Sequence, residues 1–290
     1  MRRTRVSYYP LLCLSVACTT SPVPHTGPLP ASPSPSAPTP TPAAGVQGPW
    51  SFGYAVGSTS YQITRSAAIE SQSDSGTHRE ISTNTTHELL TLEPAGGDTI
   101  RFTAVIDTFS TTTQGVIGPV QPVRLPTQFS GMFVADSLMF ATDSLSAKCD
   151  PASSALMGDL RNLIVHFPAQ LQQGTSWRDS VELRGCQAMI PTTVQIVRSY
   201  LVLGETNYQG EAMLTLQRTD TVRAHGDGAQ QQHRLTLDAT GTGTALYHLR
   251  STDGHVAHLS VGQDLTIEIT TSGGIHHFKQ SSKQEFSFLR

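Results

Sequence analysis

Eleven histidines give this chain its widest reach of possible chemistry, because a neutral imidazole can ligate a metal and its charge changes near physiological pH. Their spacing tests that reach. Asp253-Gly254 reads as a two-residue hairpin loop, which sets His248 opposite Leu259 and His258 opposite Leu249. Successive strand residues point to opposite faces, so this register separates His248 from His258 and denies them a shared ion. A three-residue loop would change the register. His276 and His277 are adjacent on a predicted strand and diverge, as do His87 and Glu88. The spacing predicts solvent-facing strand histidines, no metal site and no cofactor.

Other chemistries leave as little trace. The sequence has no His-Glu-x-x-His metalloprotease motif, no Gly-x-Ser-x-Gly nucleophile elbow and no Gly-x-x-x-x-Gly-Lys-[Ser/Thr] phosphate loop. Gly241-Thr242-Gly243 is too short for a dinucleotide fingerprint and opens no helix. Asp136, Asp143 and Asp159 are scattered, with no carboxylate pair at a telling spacing. No catalytic residue emerges. Asn84-Thr85-Thr86 matches a glycosylation acceptor by chance, given the bacterial character of the leader. Trp50 and Trp177 are expected in the core.

Charge narrows the partners. Lys and Arg number 19 and Asp and Glu 22, so charged residues make up 14% of 290 residues, well below the roughly 25% of ordinary soluble domains. A net charge of −3 argues against an electrostatic grip on nucleic acid. The 37% hydrophobic content is enough to build a core.

The N-terminus carries an address. Arg2, Arg3 and Arg5 precede an apolar run from Val6 to Ala17, interrupted by Pro10. A spanning helix needs about 20 apolar residues, so residues 1–17 read as a signal peptide. The sequence Leu14-Ser15-Val16-Ala17-Cys18 resembles the lipobox of bacterial lipoproteins, with Ser15 where that motif favours Leu. The resemblance implies cleavage before Cys18 and a lipid on its thiol. Residues 18–49 then form the lipidated Cys and a Pro-rich tether. From Thr19 to Pro49 there is no Asp, Glu, Lys or Arg, and the prolines remove donors and fix φ. At about 3.1 Å per residue the tether reaches roughly 90–100 Å when fully extended as polyproline.

Of the four cysteines, Cys13 leaves with the signal and Cys18 takes the lipid. Cys149 and Cys186 match no zinc spacing and are expected to form a disulfide in an oxidising compartment, worth about 3–4 kcal/mol by chain entropy.

The remaining region, residues 50–290, reads as one mainly β domain: a curved antiparallel sheet or open barrel built from two similar halves. One amphipathic helix lies between the halves. Tyr61, Ile63, Arg65, Ala67 and Ile69 share one phase of a strand, and Ile100, Phe102, Ala104 and Ile106 share another. Turns are expected at Ser73–Gly76, Glu93–Asp98, Gly204–Asn207, His225–Gly228, Asp253-Gly254 and Ser272–Gly274. Gly131–Leu145 in the first half is matched with Thr244–Leu259 in the second. The helix begins with Asp150 as cap and Pro151 at its first position, and ends near Phe167-Pro168. Leu156, Met157, Leu160, Leu163 and Ile164 form its apolar stripe, expected across the concave face of the sheet.

Gly174-Thr175-Ser176-Trp177, after Phe167-Pro168, resembles a stretch in uncharacterised bacterial envelope lipoproteins with a β-rich domain of unknown function. The run Gly241-Thr242-Gly243-Thr244-Ala245-Leu246-Tyr247, continuing to Asp253-Gly254-His255-Val256, resembles them too. That family implies no activity. More remotely, a curved sheet closed by a helix is similar to lipid carriers of the lipoprotein-localisation type, a likeness of fold alone.

These readings converge on a lipid-anchored cell-envelope protein, most simply a non-catalytic structural or interaction module with an envelope protein as partner. The alternative is a carrier of a hydrophobic small molecule, with Leu156, Leu160, Leu163 and Ile164 lining its site. An envelope enzyme is the third and least favoured class. Thr19 is not the Asp that resembles an inner-membrane retention signal, so the outer membrane is the expected anchor.

Overall fold

A computed structural model describes residues 48–52, 57–73, 76–96, 99–114, 127–134, 137–140, 158–187, 190–230 and 233–289. Eleven strands form a single antiparallel sheet. They are β1 (Gly57–Ser73), β2 (Gly76–Gly96), β3 (Thr99–Gln114), β4 (Thr127–Val134), β5 (Ser137–Phe140), β6 (Ser176–Gln187), β7 (Ile190–Tyr208), β8 (Glu211–Gln230), β9 (His233–Arg250), β10 (Val256–Thr271) and β11 (Gly274–Leu289). The order is β5-β4-β3-β2-β1-β11-β10-β9-β8-β7-β6. Two meanders thus meet where the first strand pairs with the last, Ile63 opposite Phe286.

This order has a topological consequence. Strands β5 and β6 are consecutive in the chain yet occupy opposite edges of the sheet. Their connection must therefore run from one edge to the other. Residues 158–163 within it are helical, and this segment packs on the inward face. Leu160, Leu163, Val165 and Leu171 join Ile63, Phe102, Leu214, Leu216, Tyr247 and Phe286 in the main core. Each such side chain, fully buried, contributes about 1.5–3 kcal/mol. A paired bridge between Trp50 and Leu171, with N···O distances of 2.7 and 2.8 Å, ties the start of the domain to the same segment. The helical cap around Asp150 and the stripe residues Leu156 and Met157 lie outside the described residues.

The sheet is strongly curved. Strands β2 and β7 are six steps apart in the order, about 29 Å in a flat sheet at about 4.8 Å per step. Both nevertheless line one cavity, so the sheet closes toward itself as a half-pipe. A smaller apolar cluster of Ile69, Ile190, Leu237, Ala239, Ile267 and Ile269 occupies the far part of the same face.

The alternating stretches expected for β1 and β3 appear in the expected phase, with Ile100, Phe102, Ala104 and Ile106 all buried. Two expected turns are strand interior instead. Residues 204–207 continue β7 past a bulge between Val202 and Gly204, and the chain reverses at Gln209-Gly210, both with positive φ. His225–Gly228 belongs to β8. Gly226 is there for close approach rather than for turning, since a Cβ on it would stand 2.5 Å from the Pro191 carbonyl oxygen.

Gly241 is the sharper case. A Cβ at this position would sit 2.0 Å from the Asp264 carbonyl oxygen and 2.6 Å from Leu265 Cδ2. Gly241→Ala is therefore expected to lower stability by about 1–3 kcal/mol through overpacking. At nearby Gly262 a Cβ would meet only Thr244 Oγ1, at 3.7 Å. Gly262→Ala should thus be neutral or stabilising by up to about 1 kcal/mol. Urea denaturation of the two variants checks the contrast, and equal effects would show that crowding at Gly241 is not what fixes the glycine.

Candidate functional site

Between the two apolar clusters the inward face becomes charged, and the strand phase shows why. Arg65 alternates with Ile63 and Ala67 on β1. Arg198 stands between Ile196 and Tyr200 on β7, and Arg218 follows Leu214 and Leu216 on β8. All three side chains point where the period demands an apolar residue, and the residues are 7%, 3% and 2% exposed. A buried cation is costly unless paired and hydrogen-bonded, so the partners of each determine its role.

Arg65 is ion-paired. It donates from Nη1 to Thr86 Oγ1 at 2.9 Å and from Nη2 to Glu88 Oε1 at 3.2 Å, and it pairs with Asp159 on the helical segment. Burial pushes the Asp159 carboxyl well above its ordinary pKa; Arg65 opposes this, while Glu88, hydrogen-bonded to Asp159, adds to it.

Arg218 is ion-paired too. Its Nη2 donates to Asp220 Oδ2 at 2.9 Å, and its Nε lies 2.9 Å from Asp220 Oδ1 as an ion pair without the alignment of a hydrogen bond. Nη1 donates to Asn162 Oδ1 at 3.0 Å and also to the Tyr247 hydroxyl. Burial would lower its pKa, but Tyr247 and Asp220 outweigh that and raise it. Asn162 in turn donates to Gln284 Oε1 at 3.3 Å, which fixes the helical segment to β11.

Arg198 differs. Its Nη1 donates to the Arg161 carbonyl oxygen at 2.8 Å, and its Nε, like those of Arg65 and Arg218, meets no acceptor. Carboxyl groups flank it along the ladder, Asp179 on β6 and Asp220 on β8. Asp220 is already taken by Arg218, and no carboxylate among the described residues forms an ion pair with Arg198. Asp179 accepts from the Tyr200 hydroxyl at 3.4 Å. Burial raises its pKa, against the pull of Arg198 and Arg218.

These groups floor a cavity of about 180 Å³. Arg65, Arg198, Arg218 and Asp220 form its charged end and Leu183, Val194, Ile196, Val222, Leu237 and Ile267 an apolar wall, while Ser82, Asn84, Gln280 and Ser282 add polar side chains from β2 and β11. A pocket that joins apolar walls to convergent polar groups is a common form of small-molecule site.

The sequence-predicted residues fall as follows. Leu160 and Leu163 are buried in the main core and Ile164 packs against it; the helical segment contributes Gly158 and Asn162 to the cavity wall. Cys186 lies in β6 opposite Pro191, while Cys18, Cys149, Leu156, Asp136 and Asp143 lie outside the described residues. Trp50 is buried in the core, and Trp177 stacks on Tyr200 with ring centroids 4.8 Å apart.

The histidine register needs correction. Five residues, 251–255, separate β9 from β10, and a bulge between Val256 and His258 sets His258 directly opposite His248. The two imidazoles share the outward face, with centroids 5.9 Å apart, and Tyr208 stacks against both, at 4.1 Å from His248 and 5.1 Å from His258. His258 Nε2 lies 3.1 Å from Glu285 Oε2. Among the described residues no three His, Cys, Asp or Glu side chains are arranged to hold a metal. His87 and Glu88 do diverge, His87 to Asp107 and Glu88 to Arg65.

The buried arginines of this candidate site were not singled out from the sequence, where Arg65 appeared only as a member of a strand phase. Their signal was available: a charged residue in the apolar phase of an alternating strand.

No protein-family model, curated protein or solved structure matches the chain.

Proposed function

We propose that this chain is an exported, lipid-anchored envelope protein whose half-pipe binds the apolar part of a small molecule. The observation that carries this reading is the cavity of about 180 Å³ that joins an apolar wall to a charged floor. Its residues lie beyond the core that Leu160 and Leu163 close. The basic, short apolar leader, the Cys18 motif and the charge-free Pro-rich stretch support export, lipidation and a tether to the membrane. Thr19 favours the outer membrane as the anchor. The reading of the sheet as two similar halves, β1–β5 and β6–β11 on either side of one amphipathic helix, accompanies this proposal.

Native mass spectrometry of the full chain purified from an oxidising compartment, before and after organic extraction, tests the reading. The expected result is a non-covalent mass that extraction removes, separate from any covalent lipid. A bare protein mass under both conditions, with no uptake of added amphiphile, would return the chain to the interaction-module reading.

A further inference from the structure

We infer that the cavity takes an anionic amphiphile, a single alkyl chain ending in a carboxylate or phosphate, whose head pairs with Arg198. This rests on the ligand-binding reading above and specifies the chemical class of the ligand.

The ladder itself is laid out for such a molecule. Three successive inward rungs cross β6, β7 and β8: Leu183–Val194–Ala224, Val181–Ile196–Val222 and Asp179–Arg198–Asp220. Two apolar rungs therefore lead directly to the guanidinium. At about 3.3 Å per residue, the wall runs about 13 Å from Arg198 to Val194, and Leu237 and Ile267 continue it on β9 and β10. A chain lying in this gutter removes hydrocarbon from water along its length and ends at Arg198, the buried arginine of this cavity that no carboxylate among the described residues pairs with.

The other two arginines are charge-paired, Arg65 with Glu88 and Asp159 and Arg218 with Asp220. Arg198, 3% exposed, has a neutral carbonyl as its hydrogen-bond acceptor and an Nε without one. A charge left in that state is costly, and an incoming anion would supply charge-assisted hydrogen bonds in a medium of low dielectric. Asp179 is the carboxyl such an anion would have to share the site with. Burial raises its pKa, so it gives up its charge more readily than an exposed aspartate. The volume of about 180 Å³ is below the roughly 300 Å³ at which pockets for drug-sized ligands begin, which fits one alkyl chain and not a two-chain lipid.

Isothermal titration calorimetry on the full chain with decanoate, decyl phosphate and decanol, each below its micelle concentration, tests the inference. Decanoate or decyl phosphate should bind about ten- to a hundredfold more tightly than decanol. The tighter of the two anions distinguishes a fatty-acid from a phosphorylated source. Arg198→Met, which keeps the length of the side chain, should bring the anions down to decanol's affinity and leave decanol unchanged. Equal binding of all three by the unaltered protein would overturn the head-group assignment and leave the apolar cavity standing. Tighter anion binding that survives Arg198→Met would also overturn it. Failure of all three to bind would remove the ligand-binding reading itself. Should Arg198→Met not fold, the decanoate-to-decanol ratio of the unaltered protein still decides.

Discussion

Replacing Arg65 with Met is expected to lower the free energy of unfolding by about 3–5 kcal/mol. The guanidinium is enclosed, and its partners are more so: the side chains of Arg65, Glu88 and Asp159 are 9%, 4% and 1% exposed. Removing the cation strands Glu88 without a counter-charge and leaves the Thr86 hydroxyl one donor short. It also cuts the link between the helical segment and β1, because Asp159 is the contact through which Arg65 holds that segment. The loss comes from the groups left behind more than from the pair's own worth. Replacing all three together, Arg65→Met with Glu88→Leu and Asp159→Leu, should therefore recover most of it. Urea denaturation followed by circular dichroism measures both. A loss below about 1 kcal/mol for Arg65→Met would show that water reaches the pair, as it does for surface ion pairs.

Why these arginines escape a reading of sequence is a matter of how strand patterns are scored. The strands themselves were legible, because Tyr61–Ile69 and Ile100–Ile106 alternate with a period that only a pleated, half-buried strand satisfies. In that pattern a single Arg is counted as a defect in an apolar face. It becomes visible as a floor only when three such defects, on β1, β7 and β8, are brought to one level of a curved sheet. The level depends on long-range register, and register between strands as distant as β1 and β8 is not a local property.

Glycine misled in the same way. Gly204, Gly226 and Gly228 sit among polar residues, which is the composition of a turn, yet all three are within strands. Glycine serves equally where the backbone turns and where another backbone comes close, and sequence does not separate the two. At Gly226 the approaching group is the Pro191 carbonyl, itself brought near by the β7–β8 pairing. The histidine register failed for a related reason. A bulge adds one residue to one strand, and one residue is enough to move His258 from its expected place to the face of His248.

That shared face makes His248 the clearest acid sensor of the fold. Its ring is 7% exposed, stacked on Tyr208 and 3.4 Å from Thr215 Oγ1 through Nδ1. Burial pushes its pKa down to about 4, and the neighbouring His258 adds to the shift. His258 is itself pulled down by burial, with Glu285 opposing. In the folded protein His248 stays neutral at pH values where the unfolded chain, with an ordinary histidine pKa near 6.5, already takes up a proton. The stability it contributes is therefore complete above about pH 6.5, is lost as the pH falls from about 6.5 to about 4, and changes no further below that. The gap between the two pKa values corresponds to about 3 kcal/mol. His248→Phe keeps an aromatic ring against Tyr208 and removes the titrating group. Urea midpoints measured from pH 7.5 to pH 4 should fall for the unaltered protein and fall less for the variant, by about 2–3 kcal/mol over that interval. Parallel pH profiles would place the acid sensitivity in other groups and show that His248 accepts its proton without leaving the stack.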